Sequence, residues 1–456
     1  MKKKTKIILA LASIGLILTP SLYAKESNVD TKTKKEKKKS ISTEKTRLEA
    51  ITKYSNIISI LEKHNVEGYT IEELIDKSLV GMMNQVDAHS EFMNKERYKS
   101  SNESTVGEFG GLGITIGIKD GAITIIAPIE DTPADKAGLE SGDIILKIND
   151  TSTIGMKINE SVKLMRGKPN TKITISIVRK GETKPLVFEI TRAIIKVQSV
   201  YAKTINDNIG YIRVTSFDQK VVEGVSKAVK TFKKNKNIKG LVLDLRNNPG
   251  GLLNQAIGLS DIFISEGNIV SQKGRDKSND QYHNASKKNT LTDLPLVVLV
   301  NGGSASASEI VSGAIQDSKR GIVVGTKTFG KGSVQVILPL KNGEGLRMTI
   351  ARYYLPSGRT IQSVGVTPDV IVEAGSINTV KNEFEIKESD LKQHLISELE
   401  KTNKKKKVNK SKKKKKDIIT TEDLKNDIQL KESVDILKSI SILESRYKNK
   451  IINAKK

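Results

Sequence analysis

Apolar and polar positions change their spacing several times along the chain, and each change marks a different kind of structure. From Ile51 to Met93 apolar residues recur at helical intervals: Ile57, Ile58 and Leu61, then Ile71, Leu74, Ile75, Leu79 and Met82–Met83. Residues three and four apart share one helix face, so a small helical segment is expected there. Tyr98 to Gly107 is polar and reads as a link. From Gly110 to Ile194 short apolar runs, Leu112–Ile118, Ile123–Ala127, Ile144–Ile148 and Ile173–Val178, alternate with turn signals such as Asp120-Gly121 and Lys180-Gly181-Glu182. These predict strands joined by hairpins, with short helices at Pro133–Ala137 and Ile158–Met165.

Beyond Gly210 the pattern changes to strands alternating with helices. Strand-like runs are Ile209–Val214, Gly240–Leu245, Leu296–Val300, Ile322–Val324 and Val334–Leu338; helical patterns are Val221–Phe232, Asn254–Ile264 and Ser306–Gln316. That alternation predicts a layered α/β domain. After Val372 the composition shifts. Lys404 to Lys416 is almost all lysine, and like-charge repulsion keeps such a run extended. Ile428, Leu430, Val434, Leu437, Ile440 and Leu443 then recur at helical spacing, predicting an amphipathic helix that either packs on the body or joins a second copy.

Composition narrows the chemistry. The chain of 456 residues carries a formal charge of +25, but aromatics make up only 4%. Lysine without interleaved aromatics is a poor base reader, so no nucleic-acid partner is expected. Cysteine is absent, which excludes a thiol nucleophile, thiolate metal sites and disulfides. The four histidines, His64, His89, His283 and His394, form no HExxH pair. The first residues read as an export signal: Lys2, Lys3, Lys4 and Lys6, an apolar stretch Ile7–Leu18, and Leu22-Tyr23-Ala24 at the cleavage point.

Four segments carry candidate chemistry. Gly110-Gly111-Leu112-Gly113-Ile114 opens a strand and can turn backbone N–H groups toward a peptide carboxylate. Asn301-Gly302-Gly303-Ser304-Ala305-Ser306-Ala307-Ser308-Glu309 joins a strand to a helix, where a serine is exposed and helix N–H groups converge. The same letters Ser306-x-x-Glu309 also spell a capping box, which needs no chemistry. A serine nucleophile needs a base. Lys331, in Thr328-Phe329-Gly330-Lys331-Gly332, is a candidate if burial lowers its pKa. Gly325 to Lys331 matches the start of a P-loop, but Gly332 stands where a Ser or Thr is required and a strand follows. Finally, the apolar strand Leu241–Leu245 leads into Arg246-Asn247-Asn248-Pro249-Gly250-Gly251, a turn whose N–H groups can hold an oxyanion.

The ordered set Ala127-Pro128-Ile129, Thr132-Pro133-Ala134, Ala137-Gly138-Leu139 and Gly142-Asp143-Ile144-Ile145 resembles a PDZ domain. Behind it, LDLRNNPGG, NGGSASASEI with Ala314-Ile315-Gln316-Asp317, and GTKTFGKGSVQ resemble the carboxyl-terminal processing (tail-specific) peptidases, family S41. The resemblance runs from about Leu48 to Val372 and includes Gly81-Met82-Met83 to Asp87-Ala88-His89-Ser90, with Ala88 where many relatives have Pro. It implies that Ser306 is the nucleophile, Lys331 the base and Gln335 the residue that orients the lysine amine. It also implies oxyanion donors on Ala307 and on Gly250 or Gly251, and a carboxylate-binding loop at Leu112, Gly113 and Ile114. Asp317 matches a position of structural weight.

The fold expected is thus multidomain, α/β and α+β: a PDZ-like β-rich module before a layered α/β serine peptidase core of the ClpP/crotonase type, with helical N- and C-terminal segments. The divisions are 1–24 signal peptide, 25–42 disordered Lys-rich lead-in, 43–103 helical segment, 104–194 PDZ domain, 195–375 core, 376–416 linker with the poly-Lys tract and 417–456 C-terminal helix. The function implied is an exported serine endopeptidase, in the bacterial periplasm or on the outer face of the cytoplasmic membrane. It takes proteins or peptides with free C-termini, needs no metal or other cofactor, and has terminal helices able to join copies. The alternative is a PDZ scaffold that binds peptides without cutting them.

Overall fold

Alternation of side chains with period two builds the central sheet and covers both its faces. In the strand Gly240–Asp244, Leu241 and Leu243 enter one apolar cluster, while Val242 enters another. Val298 and Val300 of Leu296–Val300 likewise face the first cluster, Val297 and Leu299 the second. Runs that are apolar at every position therefore mark strands buried on both faces.

The computed structural model describes residues 44–206, 208–377 and 418–454. The signal-like segment 1–24, the lead-in 25–42, the poly-Lys tract and His394 lie outside the described residues. Two compact units divide after Asp76. The first holds α1 (Glu44–His64) and the start of α2 (Ile71–Val86). The second begins within α2 and holds everything that follows. Among the described residues no helix is long and apolar enough to cross a membrane.

The second unit opens with β1 (Glu91–Met93) and α3 (Lys95–Val106). Both correct the expectations: residues 43–103 are not helical throughout, and the polar stretch Tyr98–Gly107 is a helix rather than a link. No residue of α3 is buried, so it shows no apolar period; its ends hold it instead. Asn94 Oδ1 accepts the Arg97 N–H at 3.0 Å, and Gly107 closes the other end at φ 73°.

The PDZ-like module follows. β2 (Glu108–Gly111) leads to β3 (Ile114–Lys119) and β4 (Ala122–Pro128), then α4 (Pro133–Lys136), β5 (Ile144–Ile148) and β6 (Thr151–Ser152). After α5 (Ile158–Met165) come β7 (Lys172–Val178), β8 (Leu186–Thr191) and β9 (Ala193–Lys196). One sheet runs β3-β4-β5-β7-β8, with β6 on β5; β2 and β9 form a separate pair. Asp120 and Gly121 both take positive φ in the β3–β4 turn, as the Asp-Gly signal requires.

The remaining elements form the core. β10 (Val200–Ile205), β11 (Ile209–Val214), α6 (Val221–Lys234), β12 (Gly240–Asp244) and α7 (Leu253–Asp261) come first. β13 (Asn268–Gly274), β14 (Gln281–Asn284), β15 (Leu296–Val300), α8 (Ala307–Asp317) and β16 (Ile322–Gly325) follow. The set ends with β17 (Ser333–Pro339), β18 (Gly345–Tyr354), β19 (Val370–Ile371), β20 (Ile418–Ile419), α9 (Thr421–Lys425) and α10 (Ile428–Ala454). The central sheet has the order β19-β16-β15-β12-β11-β10-β20. All its pairs are parallel except β10–β11. A second sheet centres on β18, which pairs with β1, β13 and β17, all antiparallel.

The C-terminal segment completes this core. β20 adds the last strand of the central sheet, and Leu430, Val434 and Leu437 of α10 are buried on its second face with Val242, Val297 and Leu299. Of the two roles open to the amphipathic helix, packing on the body is the one observed.

Candidate active site

Three of the sheet's loops converge at the C-terminal ends of β12, β15 and β16, the place where open parallel sheets commonly carry their sites. The loops after β12 and β15 are stitched together by asparagine. Asn301 Oδ1 accepts the Asn247 N–H at 2.9 Å, and Asn301 Nδ2 donates to Asn247 Oδ1 at 2.9 Å. Asn248 is fully buried; its carbonyl accepts the Ala305 N–H at 3.0 Å and the Ser308 hydroxyl at 2.9 Å.

The three serines of the turn have different fates. Ser304 and Ser308 are fully buried, and their hydroxyls donate to the carbonyls of Leu245 and Asn248. Both are committed to holding the loops. Ser306 is only partly buried and sits at the head of α8 with φ 54° and ψ −110°, a region that L residues seldom adopt. Among the described residues its hydroxyl donates no hydrogen bond, although it stands within a capping box with Glu309. The cap is supplied from the other side, by Glu309 Oε2 accepting the Ser306 N–H at 2.8 Å. The capping pattern is therefore real, yet it leaves the Ser306 hydroxyl proton unspent.

Glu309 does more than cap. It is fully buried, and its carboxylate also accepts from Thr328 Oγ1 at 2.6 Å, Gly330 N at 2.7 Å and Lys331 N at 2.8 Å. One carboxylate thereby fixes the backbones of both Ser306 and Lys331.

Lys331, Ser306 and Gln335 line one cleft of about 710 Å³. Burial holds the Lys331 amine below the usual lysine range, and the Arg347 guanidinium pushes it the same way, against an opposing pull from Asp87. Lys331 Nζ donates to Gln335 Oε1 at 3.1 Å, and Gln335 Nε2 donates to the His89 carbonyl at 3.0 Å. In this conformation the amine is bonded to Gln335 rather than to Ser306; such contacts often tighten only when substrate is bound. The topology also brings His89 beside the lysine. Burial and the Lys331 charge both lower the His89 pKa, while Asp87 raises it. Sequence distance hid this neighbour, as it hid Arg347.

The two glycines of the turn after β12 differ in their hydrogen bonding. Gly250 donates its N–H to Asn248 Oδ1 at 2.9 Å. Among the described residues no hydrogen bond occupies the N–H of Gly251 or of Ala307. Gly250 serves by its smallness: at φ 100°, a Cβ there would lie 2.8 Å from the Ala305 carbonyl oxygen, 2.9 Å from Ser306 Cβ and 3.0 Å from the Ala307 nitrogen.

In the PDZ-like module, the Leu112 carbonyl accepts the Ala134 N–H, and the Gly113 carbonyl accepts the Ile129 N–H and the Thr132 hydroxyl. Both carbonyls are tied to the module, and no partner occupies the N–H groups of Leu112 and Gly113 among the described residues. With Ile114 they border a small pocket of about 110 Å³, lined also by Val162 and Met165 of α5. Arg166 stacks on the Phe109 ring at 4.4 Å and bonds Glu103 of α3 at 3.1 Å. Among the described residues no cluster of His, Asp and Glu is able to hold a metal ion.

Comparison with known proteins agrees with this architecture. The family model of peptidase family S41 matches residues 208–372, and a PDZ domain model matches residues 124–179. Over 344 residues the chain is 45% identical to a carboxy-terminal-processing protease of Bartonella bacilliformis, covering 74% of this chain and 79% of that one. It is 37% identical over 303 residues to the carboxy-terminal processing protease CtpA of Bacillus subtilis, covering 66% of this chain and 64% of that one. Among solved structures, a photosystem II D1 C-terminal processing protease is 26% identical, with 73% of this chain and 94% of that chain covered and a TM-score of 0.42.

Proposed function

The chain belongs to peptidase family S41 and is a protease, and on that footing we propose that it is an exported C-terminal processing endopeptidase working through Ser306 and Lys331. Lys331, neutral in the cleft, takes the Ser306 proton. Ser306 Oγ attacks the carbonyl carbon of the scissile bond, and the N–H groups of Gly251 and Ala307 stabilise the oxyanion. The amine leaves with the proton held by Lys331, and water then releases the acyl product. Gln335 orients the lysine amine. The observation that carries this reading is the division of labour among the serines: two donate their hydroxyls to the loops, and the third sits in a strained turn lining the same cleft as a lysine whose pKa burial lowers.

Selection of substrate is assigned to the module between β2 and β9, whose Leu112, Gly113 and Ile114 take a free C-terminal carboxylate. Export is supported by the basic-then-apolar pattern of the first 24 residues. The test is incubation of the wild type, Ser306→Ala and Lys331→Ala with a model protein carrying a free or an amidated tail, followed by mass spectrometry. Cleavage of the free tail by the wild type alone is expected. Turnover retained in Ser306→Ala would sink the assignment.

A further inference from the structure

A neutral amine has one lone pair and two N–H bonds. To act as a base its lone pair must face the proton it takes, and both hydrogens must be held elsewhere. The structure supplies one holder, Gln335 Oε1. A second acceptor is needed in the same cleft. Among the described residues, two buried side-chain atoms of the cleft lining have no hydrogen-bond partner: Asp218 Oδ2 and Ser333 Oγ. Asp218 Oδ2 is pressed against Gly107, where a Cβ would lie 2.7 Å from it, on a segment remote from the lysine in sequence. Ser333 is two residues from Lys331 and two from Gln335. Ser333, Gln335 and Ile337 of β17 line the cleft together with Lys331, which lies two residues before the strand, so along the chain Ser333 stands between the lysine and its glutamine on the strand face that borders the cleft. Ser333 is 8% exposed. Buried hydroxyls are nearly always paired, and one left unpaired at a reactive site is expected to have a use there.

We propose that Ser333 is a positioning residue: its hydroxyl oxygen accepts the second N–H of neutral Lys331 and leaves the lone pair aimed at Ser306. After proton transfer the ammonium then has three acceptors in place, Gln335 Oε1, Ser333 Oγ and the serine oxygen that gave up the proton. The inference rests on the Ser306–Lys331 reading.

The experiment compares Ser333→Ala and Ser333→Thr with the wild type, measuring kcat and KM against pH together with thermal midpoint. Ser333→Ala is expected to lower kcat by about tenfold at little change in KM, the loss of one hydrogen bond to a charged group. Its midpoint stays level or rises, because an unpaired buried hydroxyl has been removed. An acceptor favours the ammonium over the neutral amine, so its loss moves the acidic limb of the profile to lower pH. Ser333→Thr, which keeps the hydroxyl, recovers kcat. Wild-type kcat in Ser333→Ala across the profile would overturn the proposal. So would a fall in kcat that tracks a fall in midpoint with the limb unmoved, which marks a merely structural role. Lys331→Ala and Ser306→Ala run alongside: activity in either refutes the underlying pair, whereas two dead variants beside a normal Ser333→Ala refute only the role of Ser333.

Discussion

A half-buried lysine carries a cost that an apolar side chain in its place would not. Burial and Arg347 depress the Lys331 pKa in the folded chain below its ordinary 10.5. Between the folded and unfolded values the unfolded chain binds more protons, so stability rises with pH across that window. Below the folded value the full cost is present. Lys331→Met should therefore melt higher than the wild type near neutrality, and the gap should close as pH climbs toward about 10.5. Melting curves at several pH values check this; a gap that widens with pH contradicts it. Not every such role was visible in the letters. Ser306 and Lys331 were singled out by the family resemblance, since their turns alone also fit a capping serine and a surface lysine. Glu309 was legible as a cap, but its grip on Lys331 was not, since the two lie 22 positions apart. Ser333 gave no signal, because an orphaned hydroxyl is a property of the packed cleft.

Turns, rather than the strands they join, set the tolerances of the site. Gly250 packs against the turn that bears Ser306, with three atoms within 3.0 Å of where a methyl would sit. Gly250→Ala must push that turn aside, and displacement of about 1 Å is enough to cost roughly a hundredfold in rate. The expected outcome is a fall of that size in kcat/KM with matching loss of fluorophosphonate labelling at Ser306; near-normal labelling would show that the turn yields without penalty. Spacing alone found the strands of continuous apolar runs but not Leu186–Thr191, Val200–Ile205, Asn268–Gly274 or Gly345–Tyr354, whose polar residues interrupt the pattern. Ile144–Ile148 and Leu296–Val300 begin and end where their apolar runs do. α3 was missed for a physical reason: it buries nothing, so no apolar period betrays it, and only its Asn94 and Gly107 ends mark it.

For the molecule as a whole, the far end of the chain is tied to the near side of the site. Arg246, two residues past the end of β12, donates to Asp244 and reaches Asp427 through two bonds of 2.8 Å and 2.7 Å. Burial would raise the Asp427 pKa, but the Arg246 guanidinium holds it below the ordinary carboxylate value. That stability is in place above the unfolded carboxylate pKa and is lost as pH falls through the lower folded one. Asp427→Ala should cost about 2 kcal/mol at neutral pH, measured by urea unfolding, because hydrogen bonds to a charged group are lost. An unchanged midpoint would show the pair to be idle. Spacing predicted a helix after the lysine tract; it did not predict that β20 would close a sheet begun more than two hundred residues earlier, because strand pairing across such a separation leaves no local trace.

That late closure has a consequence for how the chain is made. A ribosome delivers β12 and the turn with Gly250 and Gly251 long before it delivers Asp427, and until then Arg246 lacks its outer partner and the second face of the sheet stands bare. The sheet therefore gains its outermost strand, and Arg246 its outer carboxylate, only after the segment that holds β20, Asp427 and α10 has been delivered.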